Sequence, residues 1–305
     1  MEPWCYLPNP WRQALIDLPH PLASTLEEIR FRVDRPVYLY GGSWNQPLAH
    51  PSVATRLSLG DIERIVEVLV EHSLYARVDE LRHGYVTISG GHRVGIAGRA
   101  VIAGGKVETV RQITGLNMRV ARQIKGVGET VLRQLWVREG AGSWLLAAPP
   151  RAGKTTLLRD LVRILADQGN RVVVIDERSE IAGVGASGIS PFEMGCHTDV
   201  LDGWPKPAGI EIAIRTLGPD IVAVDELGGE EDLAAVAHAR QAGARVIATV
   251  HARTPEDLLG RAAFSQAWRQ GIFDAVVFLR RDPLVGTIDR IWTQASAPLP
   301  AQVLP

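Results

Sequence analysis

The sequence predicts an α/β fold with a mostly parallel sheet covered by helices on both faces, preceded by a smaller α+β domain. From Ser143 onward, short apolar runs alternate with amphipathic helical patterns, which is typical of parallel strands between two helical layers. Before residue 125, tight turns separate several short strand patterns. We therefore expect domains over residues 1–125 and 143–296, a linker and helix over 126–142, and a disordered tail over 297–305.

The N-terminal region contains strand patterns joined by turns. Strands are expected over 27–33, 37–40 and 107–113, and two more within Gly84–Gly98 on either side of Gly90-Gly91. Ser58 is placed to cap a helix whose apolar residues Ile62, Ile65 and Leu69 recur at helical spacing. A second short helix is expected over 74–81. This mixture indicates a small α+β domain.

The second domain shows a regular alternation of strands and helices. The linker is expected to contain a helix over 129–139. The expected strands are 143–147, 171–176, 221–225 and 245–249, with a final pair over 275–279 and 287–292. The expected helices are 154–168, 207–217 and 230–242.

Composition narrows the class of protein. The 305 residues carry a net charge of −1 and no basic block or tail, which argues against nucleic acid as a partner. Cys5 and Cys196 are too few and too far apart for a disulfide framework, which fits a reducing compartment. The N-terminus lacks the pattern of a signal peptide, and no apolar run reaches the roughly 20 residues that span a bilayer. We expect a cytoplasmic protein that contacts membranes only through partners or its surface.

The stretch from Trp144 to Leu158 has the pattern of a phosphate-binding loop. An apolar strand leads into a turn of small residues, and Gly153-Lys154-Thr155 then opens a helix. In such a loop the backbone N–H groups and the helix N-terminus bind phosphates, the Lys reaches the outer phosphates, and the hydroxyl after it holds Mg²⁺. The expected nucleotide-binding residues are Ala148, Pro149, Pro150, Arg151, Ala152, Gly153, Lys154, Thr155 and Thr156.

A second apolar strand, Ile221–Val224, ends in Asp225-Glu226 about 70 residues after the loop. This is the form of a Walker B motif, in which Asp225 holds the Mg²⁺ shell and Glu226 polarises the attacking water. Alone, such a pair is also explained as a cap of the next helix. Together with the loop, it predicts a RecA-like P-loop core that hydrolyses a nucleoside triphosphate.

Two further strands end in polar residues at the same expected edge of the sheet. Asp176, Glu177 and Arg178 follow one strand and can orient water or contact phosphate, although strand-end acids are as often structural. His251 follows another and can sense the γ-phosphate, or it is a structural histidine. Arg215, near the end of the helix before Walker B, has a salt bridge as its simplest explanation. His92, beside Arg93, is the only other histidine of interest.

These motifs resemble the family of the stage III sporulation protein AA. The resemblance covers residues 24–295, and the stretch 198–211 is specific to that family rather than to P-loop proteins in general. The family is similar in turn to the secretion, pilus and conjugation ATPases. Their Asp box is matched by Asp176 to Arg178, and their His box by Thr249 to His251.

The resemblance implies a cytoplasmic motor ATPase of the mother cell, using ATP and Mg²⁺ and assembling as a homohexamer. It further implies docking on membrane proteins of the same sporulation channel. Relatives use arginines of the smaller domain across the nucleotide, and Arg93, Arg111 and Arg119 are the candidates here. The sequence departs from the family pattern at Ala148, which replaces the first loop glycine, and at Trp204, where Cys is usual.

Two other functions remain open on the sequence. One is a nucleotide-dependent nucleic-acid-binding protein, because RecA-like cores also act on DNA; the neutral charge argues against it. The other is a scaffold whose assembly is gated by nucleotide without hydrolysis, which Ala148 suggests by leaving nucleotide affinity in question.

Overall fold

The computed structural model describes residues 2–71, 84–88, 90, 92–139, 142–184, 188–280 and 286–294. The chain divides into two compact units. The first contains Met1–Arg122 and Gly183–Phe192, and the second contains Gln123–Ala182 and Glu193–Pro305. The helix expected over 74–81 and the tail expected over 297–305 lie outside the described residues.

The first unit is built on a six-stranded antiparallel sheet with the order β3-β2-β1-β6-β5-β4. Its strands are β1 (Leu26–Arg32), β2 (Tyr38–Gly41), β3 (Asn45–Pro47), β4 (Tyr85–Ile88), β5 (His92–Ala103) and β6 (Lys106–Arg119). Its helices are a 3₁₀ turn (Pro3–Tyr6), α1 (Trp11–Ile16), α2 (His20–Thr25) and α3 (Leu59–Glu71).

Alternation along the strands gives this sheet one apolar face. Ile29 and Phe31 of β1 are buried in a cluster with Leu116 and Met118 of β6, while Arg30 and the other residues between them point to the opposite face. The 3₁₀ turn, α1 and α3 cover the apolar face. Helices therefore pack on one side of the antiparallel sheet.

The expected cap of α3 is confirmed. The Ser58 hydroxyl accepts the backbone N–H of Asp61 at 3.2 Å, and the Asp61 carboxylate accepts the backbone N–H of Ser58 at 2.8 Å. This reciprocal pair satisfies two N–H groups at the helix start.

Strand β6 is longer than the sequence predicted, continuing past Ile113 to Arg119. Gly115 and Asn117 are poor strand formers, which concealed the alternation with the buried Leu116 and Met118. Neither β3 nor α1 and α2 was predicted.

The second unit contains a seven-stranded sheet with the order β13-β12-β7-β11-β10-β8-β9, in which only the β12–β13 pair is antiparallel. Its strands are β7 (Trp144–Ala147), β8 (Val172–Asp176), β9 (Thr198–Asp202), β10 (Ile221–Val224), β11 (Arg245–Val250), β12 (Ala275–Arg280) and β13 (Thr287–Thr293). Its helices are α4 (Val127–Glu139), α5 (Lys154–Asp167), α6 (Lys206–Thr216), α7 (Glu230–Gln241), α8 (Pro255–Leu259) and α9 (Ala262–Arg269).

Helices cover both faces of this sheet because its central strands are apolar on both sides. Leu145 and Ala147 of β7 belong to a buried cluster that includes residues of α6, α7 and α9. The intervening Leu146 points to the opposite face, and α5, which contacts β7 and β8, carries no member of that cluster. The predicted fold class, a mostly parallel P-loop sheet preceded by a smaller α+β domain, is confirmed.

Strand β9 was not predicted. It lies at the edge of the sheet beside β8, and its sequence Thr198-Asp-Val-Leu-Asp has acidic residues among only two apolar ones. An edge strand needs no continuous apolar run, and this one also lacks a regular alternation of apolar and polar residues. Its sequence therefore shows neither pattern that predicts a strand. The short helices α8 and α9 were also missed, whereas the final pair β12 and β13 was predicted and is confirmed.

We predict that Asp160→Ala lowers the free energy of unfolding by about 3 kcal/mol. Asp160 of α5 is fully buried, and its carboxylate accepts the Gly128 backbone N–H of α4 at 2.8 Å and pairs with Arg163 at 2.7 Å. The substitution leaves a buried donor without a partner. Urea unfolding of both proteins measures the difference.

Asp167→Ala is the matched control, because Asp167 lies on the same helix and faces the same Arg163 at 3.7 Å but is half exposed. It should cost less than about 1 kcal/mol. Equal losses in the two variants would show that the α4–α5 contact does not depend on Asp160.

Candidate functional site

The loop between β7 and α5 has the backbone of a phosphate-binding loop. Arg151 (φ 62°) and Gly153 (φ 86°) adopt left-handed conformations that turn the chain from the strand into the helix. Ala148 is outside the left-handed region, is fully buried, and donates its N–H to Val250 at 3.2 Å. Alanine in place of the first loop glycine is therefore accommodated without backbone strain.

Lys154 begins α5 with its ammonium directed back over the loop. Nζ donates to the carbonyl oxygens of Ala148 and Pro149, both at 3.0 Å, and lies 3.0 Å from Nδ1 of His251. Burial lowers the pKa of the Lys154 ammonium, and the charges of Asp225 and Glu226 oppose this effect. The loop thus holds a desolvated cation at the N-terminus of a helix, where an anion is favoured.

Thr155 joins the loop to the end of β10. Its hydroxyl donates to Oδ2 of Asp225 at 2.8 Å. The other Asp225 oxygen accepts the hydroxyl of Thr249, whose oxygen in turn accepts the Glu226 backbone N–H at 2.8 Å. Strands β10 and β11 are parallel neighbours, so their carboxyl ends meet at this edge.

The Glu226 side chain lies between those of Arg178 and His251. Its backbone is left-handed (φ 50°), its Oε2 lies 2.9 Å from Arg178 Nη1, and its Oε1 lies 3.4 Å from His251 Nε2. All three side chains are partly exposed. The structure therefore brings together residues that the sequence placed on three different strand ends.

Asp176 makes its contacts with the following loop. It is buried at the end of β8, and its carboxylate accepts the backbone N–H groups of Glu180, Ile181 and Ala182. Burial raises the pKa of the Asp176 carboxyl to about 6, although these N–H groups lower it. Glu177 pairs with Lys206 of α6.

Arg159, which the sequence analysis did not single out, also holds that loop. It lies on the inner face of α5 and donates to the carbonyl oxygens of Glu180 at 2.8 Å and Ile181 at 2.6 Å. Burial lowers the pKa of its guanidinium to about 10. An arginine among the apolar residues of an amphipathic helix was the sequence signal that could have identified it. Thr249, quoted only as part of a motif, has a specific role in joining Asp225 to Glu226.

The three arginine candidates are residues of the β5 and β6 strands. Arg93 stacks 3.7 Å above the ring of Tyr85 and is the cross-strand partner of Arg119, which lies 4.0 Å from Glu28. Arg111 is exposed on β6. These three arginines belong to the first unit.

His92 and Arg215 complete the set of candidates. His92 is buried and accepts the Ala121 N–H at 3.0 Å. Arg215 is exposed in the last turn of α6.

The residues at the loop fit a hydrated Mg²⁺ ion bound together with phosphates. Mg²⁺ prefers oxygen ligands and is usually held by one or two protein groups, waters and substrate phosphates. The Thr155 hydroxyl and the Asp225 carboxylate supply two oxygens side by side. Within the described ranges, no cluster of three or more His, Cys, Asp or Glu side chains forms a separate metal site.

A phosphate-binding loop whose Thr is hydrogen-bonded to the Asp of a strand-end Asp-Glu pair, on a mostly parallel sheet of this order, defines the P-loop NTPase fold. Within that class, the chain belongs to the stage III sporulation protein AA family. The family model, described as sporulation stage III, protein AA, matches residues 12–298. The resemblance noted in the sequence is confirmed.

Proteins of known sequence or structure are similar to this chain. The chain is 37% identical over 294 residues to stage III sporulation protein AA of Bacillus subtilis, covering 94% of this chain and 92% of that protein. The ATPase DotB of Yersinia pseudotuberculosis has the same fold, with a TM-score of 0.61 at 15% identity over 90% of this chain and 76% of that one. The pilus retraction motor PilT, solved with bound ADP, has a TM-score of 0.59 at 16% identity, covering 84% of this chain and 74% of that one.

No helix in the described part of the chain is long and apolar enough to cross a membrane. Both cysteines are exposed and free.

We predict that Asp176 makes the protein less stable as the pH rises from about 4 to about 6. Its carboxyl pKa is raised from 3.8 to about 6, so in this range the folded chain holds a proton that the unfolded chain has lost. The free energy of unfolding that Asp176 contributes is therefore highest below the lower value and falls by about 3 kcal/mol as pH passes through the upper one.

Asp176→Asn removes the titration while keeping a carbonyl acceptor. The difference between the unfolding free energies of wild type and variant, measured in urea at several pH values, should decrease from pH 4 to pH 7. A constant difference, or one that increases, contradicts this interpretation of the buried carboxyl.

Proposed function

We propose that this protein is a Mg²⁺-dependent ATPase of the secretion-motor type. The observation that carries the proposal is the 2.8 Å hydrogen bond from the Thr155 hydroxyl to Asp225, which brings the phosphate-binding loop and the strand-end acids into one site. Glu226, the next residue, stands beside this pair with its carboxylate held by Arg178 and near His251. Family membership supports the assignment.

The loop residues bind the triphosphate. In the proposal, the backbone N–H groups between Arg151 and Thr156 and the Lys154 ammonium contact the phosphates, and the Lys exchanges its two carbonyl acceptors for phosphate oxygens. Because Lys154 is already desolvated, part of the cost of burying its charge is met before the nucleotide arrives. Thr155 and Asp225 would hold Mg²⁺, which would neutralise charge on the phosphate oxygens.

Glu226 orients and polarises the attacking water. The carboxylate lies between Arg178 and His251, and those contacts fix its orientation. His251 also lies 3.0 Å from the Lys154 ammonium, so it touches both the phosphate-binding cation and the water-activating carboxylate. It is therefore placed to respond to the terminal phosphate. Asp176 and Glu177 act indirectly, by holding the loop that carries Arg178.

We further propose that the active unit is a homohexameric ring on the cytoplasmic side of the mother-cell membrane, where it energises a channel complex to the forespore. Arg93, Arg111 and Arg119 are the candidates to reach a nucleotide held by a neighbouring copy. An arginine that neutralises the transferred phosphate can change the rate by several orders of magnitude. Such an arrangement would make hydrolysis depend on assembly.

We predict that ATP turnover per chain rises with protein concentration and that Glu226→Gln reduces it by about 100-fold or more at every concentration. The amide keeps the size of the side chain but cannot polarise water as a carboxylate does. ATP binding should persist in this variant, since the phosphate contacts are unchanged. Phosphate release and equilibrium binding of ATP measure the two properties separately.

Glu231→Gln is the control, because it makes the same change at an exposed residue of α7. Its turnover should match wild type. Wild-type turnover that is absent at all concentrations, with ring assembly intact, would favour a nucleotide-gated scaffold instead.

A further inference from the structure

A groove with a volume of about 610 Å³ lies within the first unit, on the face of the sheet opposite its apolar core. It runs across the central strands β1, β6 and β5. Its walls include Arg30, Arg32 and Asn117, and its floor includes Gly95 and Gly115. The volume is that of an ordinary small-molecule site.

Strand register fixes how these groups are arranged. Arg32, Gly115 and Ala97 are successive cross-strand partners, and Arg30, Asn117 and Gly95 form the adjacent row. Residues two apart on a strand face the same side, so both rows share this face. Arg30 and Arg32 therefore lie along one side of the groove, and the floor beside them consists of glycine and alanine residues.

The glycine at position 95 is not required by packing. A Cβ added there would lie 3.8 Å from the Asn117 Cβ and carbonyl oxygen, which is ordinary contact. At Gly115, by contrast, an added Cβ would lie 3.2 Å from the Phe31 carbonyl oxygen and would be tight. A larger residue at 95 would suit the strand better than glycine, yet it would fill the groove.

Asn117 lines this groove with a side-chain amide that carries an unsatisfied acceptor. Its Oδ1 is buried and has no hydrogen-bond partner within the described part of the chain. A buried amide oxygen without a donor costs free energy, so such a group often marks a ligand contact. The carbonyl and NH₂ of one Asn match the N6 donor and N7 acceptor of adenine.

The arginines supply the complementary charge. Arg30 is fixed by a contact with the buried Glu28 and stacks 5.1 Å from the Tyr40 ring centroid. Arg32 also lines the groove, as do Arg35 and Asp34, which pair with each other at 3.5 Å. Guanidinium groups bind phosphate through paired hydrogen bonds. A planar group that accepts from and donates to Asn117, joined to a phosphate, satisfies both features.

We propose that this groove is a second binding site, for an adenine nucleotide, separate from the phosphate-binding loop. Asn117 recognises the adenine edge once its amide turns the buried Oδ1 toward the groove. Gly95 and Gly115 provide the flat surface beneath the base, and Arg30 and Arg32 bind the phosphate. The ligand is either a free nucleotide or an adenylate within single-stranded nucleic acid, which present the same chemistry.

Titration calorimetry of the full-length chain with AMP tests the site. AMP lacks the outer phosphates that Lys154 is expected to contact, so its binding should be equal in wild type and in Lys154→Ala, and the result does not depend on the loop being an ATPase site. We expect about one AMP per chain and weaker binding of GMP. Absence of AMP binding up to about 1 mM would overturn the proposal.

Three variants locate the site. Asn117→Ala should reduce AMP affinity about tenfold and remove the preference over GMP. Gly95→Val, which keeps the strand but fills the groove, should abolish binding. Arg32→Gln should weaken AMP and GMP alike. Arg99→Gln is the matched control, since it removes the same charge from the same sheet outside the groove, and its affinity should be that of wild type.

Thermal unfolding of each variant establishes that the unit is folded. AMP binding unchanged in both Asn117→Ala and Gly95→Val would overturn the proposal. Hexa-adenylate titrated at low and high salt separates the two sources. Oligonucleotide affinity that greatly exceeds that of AMP and falls steeply with salt indicates single-stranded nucleic acid. Similar affinities indicate a free nucleotide, and in either case binding must require Asn117.

Discussion

The hydrogen bond between Thr155 and Asp225 is the contact on which the candidate site depends, because it connects two segments 70 residues apart in sequence. Thr155 is fixed by the loop and the start of α5, and Asp225 by the end of β10 and by Thr249 of β11. Each partner would be an ordinary polar residue without the other. Their meeting places Lys154, Glu226 and His251 within one set of contacts.

The parallel sheet makes this meeting possible. Strands β7, β11, β10 and β8 are neighbours in that order, so their carboxyl ends form one edge. The loop follows β7, His251 follows β11, Glu226 follows β10 and Asp176 ends β8. Apolar strands buried on both faces hold these ends in register, and the polar residues just beyond them form the candidate site.

Much of this arrangement could be predicted from the sequence, because it depends on local patterns. Continuous apolar runs identified the central strands, and polar residues directly after them marked the site edge. Strand β9 could not be predicted, since an edge strand with acidic residues has neither the apolar run nor the alternation of a buried strand. The extension of β6 was hidden by Gly115 and Asn117, which also line the groove.

The contacts of individual side chains were harder to predict than their positions. The sequence placed Asp176 at the sheet edge but could not show that its carboxylate points into the loop of residues 180–182. Nor could it show that Arg159, within an otherwise apolar helical face, reaches the same loop. Both depend on the path of a loop between strands, which no periodicity encodes. Whether alanine at position 148 strains the loop likewise depends on the backbone conformation, which the sequence alone does not show.

The central claim is that Thr155 and Asp225 together hold a divalent ion beside bound ATP. Binding of Mn²⁺, a spectroscopically visible substitute for Mg²⁺, can be followed by electron paramagnetic resonance with ATP present and Glu226→Gln in place to prevent turnover. We expect one ion per chain and a loss of about tenfold or more in Mn²⁺ affinity on adding either Thr155→Val or Asp225→Asn. Undiminished Mn²⁺ affinity in both variants would contradict the account.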